Sequence, residues 1–179
     1  MKQLVKNNRT GLLSVEEVPS PKAQPGHIIV QNLFSAVSVG TEKAQLEIAK
    51  KNLLQKAKSR PDDLKKVMKL IKSEGILSAY RKSMNMLNLP ASLGYSSVGK
   101  VLEIAEDIKK YSIGDLVACG GCGHAEIISV PKNLCALVPE GVNLEHAAFT
   151  TIASISMQGV RQADVSVGEN IAVIGLGLI

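Results

Sequence analysis

The 179-residue sequence predicts a mainly β fold that also carries α-helices, on three observations. Short runs rich in Val, Ile and Leu recur between Pro, Gly and Asn, as strands do between turns. One stretch, at about residues 43–88, instead repeats its apolar residues at helical spacing, with lysines between them. The last nine residues, IAVIGLGLI at 171–179, run four apolar residues into Gly175 and then Gly177. That is the pattern of a first strand entering the glycine turn of a nucleotide-binding βαβ unit.

In chain order, residues 3–7 and 12–18 read as two strands around a turn at Asn7–Gly11. After the Pro25-Gly26 turn, residues 27–38 make a long strand, bent or bulged near Asn32. Past Gly40-Thr41-Glu42 the period changes. Leu46, Ala49, Leu53, Leu54 and Ala57 define one helical stripe. A second helix restarts at Ser59-Arg60-Pro61, with Ser59 as cap, Pro61 in the first turn and Asp62-Asp63 at the positive end. Its stripe is Leu64, Val67, Met68 and Ile71. Gly75 interrupts it, and a third helix spans 76 to about 87. Pro90 ends this block, which reads as an insertion between strands.

Strand character returns at 96–106 and at 116–118, followed by a glycine-rich loop at Cys119–Gly123. Strands then follow at 124–130 and 134–138, ended by Pro131 and Pro139. Asn143 caps one helix of about 20 residues that ends near Asp164. Residues 165–170 form a loop into the terminal strand.

The bulk properties exclude several classes. A hydrophobic fraction of 45% with 21% charged residues is that of an ordinary globular protein. Aromatics at 3% and no Trp argue against stacking on single-stranded nucleic acid. No apolar run reaches the roughly 18 residues of a membrane span, and the N-terminus lacks a signal core. A cytoplasmic protein without membrane contact is expected. Three cysteines cannot form a complete disulfide set. The net charge of +5 is uneven: residues 43–82 hold 12 Lys/Arg against 4 Asp/Glu. That block either forms a solvated helical cap or grips an acidic partner such as a uronic-acid sugar or nucleic acid.

The stretches GDLVAC (114–119), HAEIISVPKNLCALVPEGVNLEHAA (124–148) and VSVGENIAVIGLGLI (165–179) together resemble the medium-chain dehydrogenase/reductases. This is the superfamily of zinc-type alcohol dehydrogenases and quinone reductases. The resemblance implies a GroES-like β-barrel catalytic domain over 1–164, with the helical insertion at about 43–88. It implies that 165–179 begin a Rossmann NAD(P) domain cut off after its first strand, so that the chain is the front of a larger protein and inactive alone. The long basic block after SVGTE (38–42), with LGYSSVGKV (93–101) behind it, resembles a bacterial subgroup. There the dehydrogenase-like half is joined to an oxidoreductase half of the Gfo/Idh/MocA type, associated with sugar and surface-polysaccharide metabolism.

Zinc alcohol dehydrogenases hold their catalytic metal with a Cys, a His, and a second Cys or acid, leaving one open position. By resemblance these positions fall at Val39, at Tyr95 within Gly94-Tyr95-Ser96, and near Thr151. Valine cannot ligate zinc, and Tyr and Thr are poor ligands, so no zinc is expected. NAD or NADP remains the implied cofactor, with Gly175 and Gly177 letting the backbone approach its pyrophosphate.

Thr41 sits where the family relays protons from a substrate hydroxyl. Tyr95 can donate to an oxyanion, and Glu42 can orient either. Alternatively, Thr41 only caps the next helix, Glu42 sits in its first turn, and Tyr95 packs in the cleft. Cys119-x-x-Cys122-x-His124, with Cys135 as a fourth candidate, has metal-like spacing, but structural zinc normally pairs two such knuckles. Loop glycines and a buried strand cysteine are the other reading. His27 and His146 read as a strand-face and a first-turn residue.

Three functions follow as expectations. One is NAD(P)-dependent, zinc-independent hydride transfer with a small sugar-like or other alcohol/carbonyl substrate. A second is a non-catalytic binding or scaffolding domain attached to another oxidoreductase domain. The third is nucleic-acid binding through the insertion.

Overall fold

His27–Ser35 is the strand around which the sheet is built, and its sequence shows why. Ile28, Ile29 and Val30 are all buried, three in a row, so both faces of this strand are covered. The computed structural model describes residues 1–51, 55 and 61–179. They divide into two compact units, residues 1–3, 17–38 and 94–179 in one and 4–16 and 39–93 in the other.

In the first unit, β3 (His27–Ser35) pairs antiparallel with β5 (Ser96–Ile104) on one side and with β7 (Ile127–Pro131) on the other. Strand β6 (Leu116–Gly120) adds to β5, and β8 (Cys135–Leu137) adds to β6, giving the order β7-β3-β5-β6-β8. Ile28, Val30, Val101, Val117, Ile128 and Val130 form the buried core of this sheet. The expected bulge is present: the β3–β5 register shifts between Asn32 and Phe34, and again between Ile29 and Val30. Gly99 permits it, because β3 passes so close that a Cβ there would overlap the Gln31 carbonyl oxygen.

Two elements differ from expectation. Cys119 and Gly120 are buried residues of β6 rather than loop, because β6 is paired on both sides up to that point. The single helix expected from Asn143 is two: α4 (Leu144–Ala147) and α5 (Thr150–Ala163). Asn143 does cap the first, accepting from the Glu145 N–H at 2.8 Å. The break follows from hydroxyls competing for helix carbonyls. Thr150 Oγ1 donates to the Ala147 carbonyl at 2.7 Å, and buried Ser96 Oγ donates to the Ala148 carbonyl at 2.6 Å. Ser96→Ala is expected to cost about 1–3 kcal/mol by leaving that carbonyl unpaired. Urea unfolding of the chain checks this, and a change below about 0.5 kcal/mol would refute the assignment.

In the second unit, β1 (Lys2–Asn7) pairs with β4 (Pro90–Ser92), with Val5 opposite Ser92 and Asn7 opposite Pro90, and β2 (Leu13–Glu17) lies on its other side. Pro90 thus ends the helical block and opens an edge strand. Three helices are described: α1 (Val39–Lys50), α2 (Pro61–Glu74) and α3 (Ile76–Asn88). Pro61 opens α2, where its missing N–H costs nothing. The Ser59 cap and the stripe positions Leu53, Leu54 and Ala57 lie outside the described residues. Gly75, at φ +83°, separates α2 from α3.

Residues 171–179 form no strand, contrary to expectation. Ile174 and Leu176 are 100% and 97% exposed. A strand exists only when its backbone groups pair with a neighbour, and among the described residues no strand pairs with them. The apolar run is a pattern without a partner.

Candidate active site

The candidate site in the first unit is built on Gly94-Tyr95, the dipeptide that leads into β5. Gly94 holds φ +97°, a conformation L side chains rarely adopt, and the Cε1 and Nε2 atoms of His124 sit 2.9 Å from where its Cβ would be. His124 is in turn held from the other side: Ser35, the last residue of β3, hydrogen-bonds its Nδ1 at 2.7 Å. The hydroxyl and the ring nitrogen share that bond in either of two tautomers. Half-buried Tyr95 is fixed through its backbone, its carbonyl accepting from the Gly121 N–H at 2.8 Å. Ser96 and Ser97 behind it are buried and bonded, Ser97 Oγ to Cys122 Sγ at 2.9 Å. Thr151, at the start of α5, donates to the Cys119 carbonyl at 3.3 Å. The ends of β3 and β6 and the start of α5 therefore hold the His124 ring, the Tyr95 backbone and the Thr151 hydroxyl.

Thr41 and Glu42 belong to the second unit and Tyr95 to the first. Helix α1 begins at Val39, so Thr41 lies inside its first turn and does not cap it, a correction to the capping alternative. Thr41 is exposed and Glu42 is buried. Gly175 keeps φ +94°, but neither it nor Gly177 lies in a turn between a strand and a helix.

Val39, Tyr95 and Thr151 are the positions that the resemblance assigns to zinc ligands. Val39 offers a methyl pair, and Thr151 spends its hydroxyl on the Cys119 carbonyl. Among the described residues no group of three or more His, Cys, Asp or Glu could hold a metal ion. The Cys-x-x-Cys-x-His spacing dissolves in three dimensions, since His124 turns to Ser35 and Cys122 to Ser97. His27 begins β3, with its Nδ1 3.1 Å from the Pro25 carbonyl. His146 lies in α4 and lines a groove with Pro139, Val142 and Thr150. The partnership of Ser35 with His124 escaped sequence reasoning, because 89 residues separate them and no local period links them.

The family model described as the alcohol dehydrogenase GroES-like domain matches residues 61–164. The chain belongs to that family, within the medium-chain dehydrogenase/reductase superfamily. Part of it is 35% identical over 89 residues to D-guloside 3-dehydrogenase of Shigella flexneri, covering 49% of this chain and 25% of that one. The fold matches the quinone oxidoreductase of Coxiella burnetii with a TM-score of 0.65 at 20% identity, over 94% of this chain and 46% of that one. It also matches Escherichia coli quinone oxidoreductase complexed with NADPH, with a TM-score of 0.62 at 12% identity, over 93% and 42%. The chain thus spans a quarter of that curated relative and less than half of these structures. Among the described residues no helix is long and apolar enough to cross a membrane.

Proposed function

We propose that the whole protein is an NAD(P)-dependent oxidoreductase that moves hydride between a nicotinamide and a sugar-like alcohol or carbonyl, without catalytic zinc. The observation that carries this is the set of side chains at the three positions a zinc-type relative would use. They are Val39, Tyr95 and Thr151, and one of them brings a phenol in place of the metal's histidine. A nicotinamide cofactor supplies or accepts the hydride when bound. This chain's residues handle the charge and the proton. Tyr95 donates a hydrogen bond to the developing alkoxide, and Thr41, oriented by Glu42, relays the proton. The sugar-like substrate draws support from the name of the guloside dehydrogenase relative, and the cofactor from the NADPH complex of the E. coli structural relative.

Turnover of the whole protein, followed by nicotinamide absorbance, tests this. Tyr95→Phe is expected to lower kcat about 10²-fold, the scale of removing one oxyanion donor, with KM little changed. Thr41→Ala is expected to cost about 10²-fold, the lower range for a proton-transfer group. Unchanged turnover in both variants would remove these residues from the chemistry. Absence of any nicotinamide-linked turnover in the wild type would favour the second reading, a binding domain attached to another oxidoreductase domain, which the missing zinc ligands motivate.

A further inference from the structure

We propose that Cys119 and Cys135 form an oxidant-sensitive dithiol, a modification site at which a hydroperoxide converts two thiols on adjacent strands into one intrachain disulfide. The register carries the inference. In the β6–β8 ladder, Val117 faces Leu137, Ala118 faces Ala136, and Cys119 faces Cys135. The Val138 N–H donates to the Leu116 carbonyl at 2.9 Å, which makes Val117–Leu137 a non-hydrogen-bonded pair. Pair types alternate along an antiparallel ladder, so Cys119–Cys135 is non-hydrogen-bonded too. There the Cα atoms stand about 4.5 Å apart and the side chains are closest, inside the range of about 4.4–6.8 Å that a disulfide spans. The register thus meets the distance condition for closing it.

The thiols already interact. Each donates to a backbone carbonyl, Cys119 Sγ to Val117 at 3.7 Å and Cys135 Sγ to Pro131 at 3.4 Å, and the interaction between them raises the Cys119 thiol above the usual range and lowers Cys135. The Lys110 ammonium acts on Cys135 in the same direction. Lys110 is placed by Tyr111, lying 5.0 Å over its ring, and Tyr111 donates its hydroxyl to the Cys135 carbonyl at 2.5 Å. Cys135 is therefore the nucleophile and Cys119 the resolving thiol. The third cysteine has other partners: burial pushes the Cys122 thiol up, and its Sγ shares a bond with Ser97 Oγ and donates to the Cys119 carbonyl at 3.7 Å.

The balance is as follows. The Cys135 thiolate attacks the peroxide, an S–O bond forms as the O–O bond breaks, and the leaving oxygen takes a proton to become water or an alcohol. Cys119 then attacks the sulfenic sulfur, the S–S bond forms, and the sulfenic oxygen leaves as water. Two thiols lose two electrons and the peroxide gains them. Cys119 lies two residues from Gly121, whose N–H holds the Tyr95 carbonyl. The cross-link therefore closes on the strand end that fixes Tyr95.

The test exposes the full chain to hydrogen peroxide, then quenches, denatures and maps peptides without reductant. The expected result is a fall in titratable thiols from three to one and a mass loss of about 2 Da, with Cys119 linked to Cys135 and the change reversed by dithiothreitol. Cys122→Ser is expected to keep the linkage, and Cys119→Ser to stop at a sulfenic acid on Cys135. The proposal falls if three thiols survive in the wild type, if the linkage includes Cys122, or if Cys135 reaches sulfinic acid with Cys119 still a thiol. The wild-type map decides even where Cys119→Ser does not fold.

Discussion

Gly99→Ala is expected to destabilise the chain by at least about 3 kcal/mol, because overpacking a sheet centre forces the backbone to move. The added methyl would overlap the Gln31 carbonyl oxygen and stand 2.6 Å from Val30 Cγ1. Neither neighbour can give way: Val30 is fully buried, and Gln31 is paired in register with Lys100 on one side and Ile127 on the other. Gly159→Ala serves as control. Gly159 lies within α5 with nothing near its missing Cβ, so alanine there is expected to be neutral or to stabilise by up to about 1 kcal/mol. Denaturant unfolding of both variants gives the comparison, and equal midpoints would overturn it.

Gly94→Ala is the second large effect, with two separable causes. The backbone at φ +97° strains any L residue, by about 1–3 kcal/mol. The methyl also meets the His124 ring, which Ser35 holds at 2.7 Å. Together they are expected to cost about 3 kcal/mol or more. Gly94→Ala combined with His124→Ala should recover the steric part and retain the backbone strain. The cycle therefore isolates a non-additive term of about 0.5–3 kcal/mol between these neighbours. Additive single effects would mean the ring moves aside freely. In the whole protein Gly94→Ala is also expected to lower turnover, since Tyr95 is the next residue.

Much of the architecture was legible because it is periodic. The strand that begins at His27, the change of period after Thr41, the Asn143 cap and the bulge near Asn32 all depend on residues close in the chain. The site was legible only in part. Gly94-Tyr95 stood out as a histidine motif without its histidine, but the sequence offers His124 no partner beyond the metal-like spacing of the nearby cysteines. Its hydrogen bond goes instead to the end of a strand 89 residues away.

The sequence by itself determined which atoms are available. It puts Val39, Tyr95 and Thr151 at the positions that the resemblance assigns to zinc ligands, puts glycines where the backbone must approach or turn left-handed, and concentrates positive charge between Lys43 and Lys82. Tertiary structure alone decided which atoms meet. The β6–β8 register set Cys119 against Cys135, and the Ser96 and Thr150 hydroxyls divided one expected helix into α4 and α5. The same dependence explains residues 171–179: an apolar run is a property of the chain, but a strand is a property of a pair.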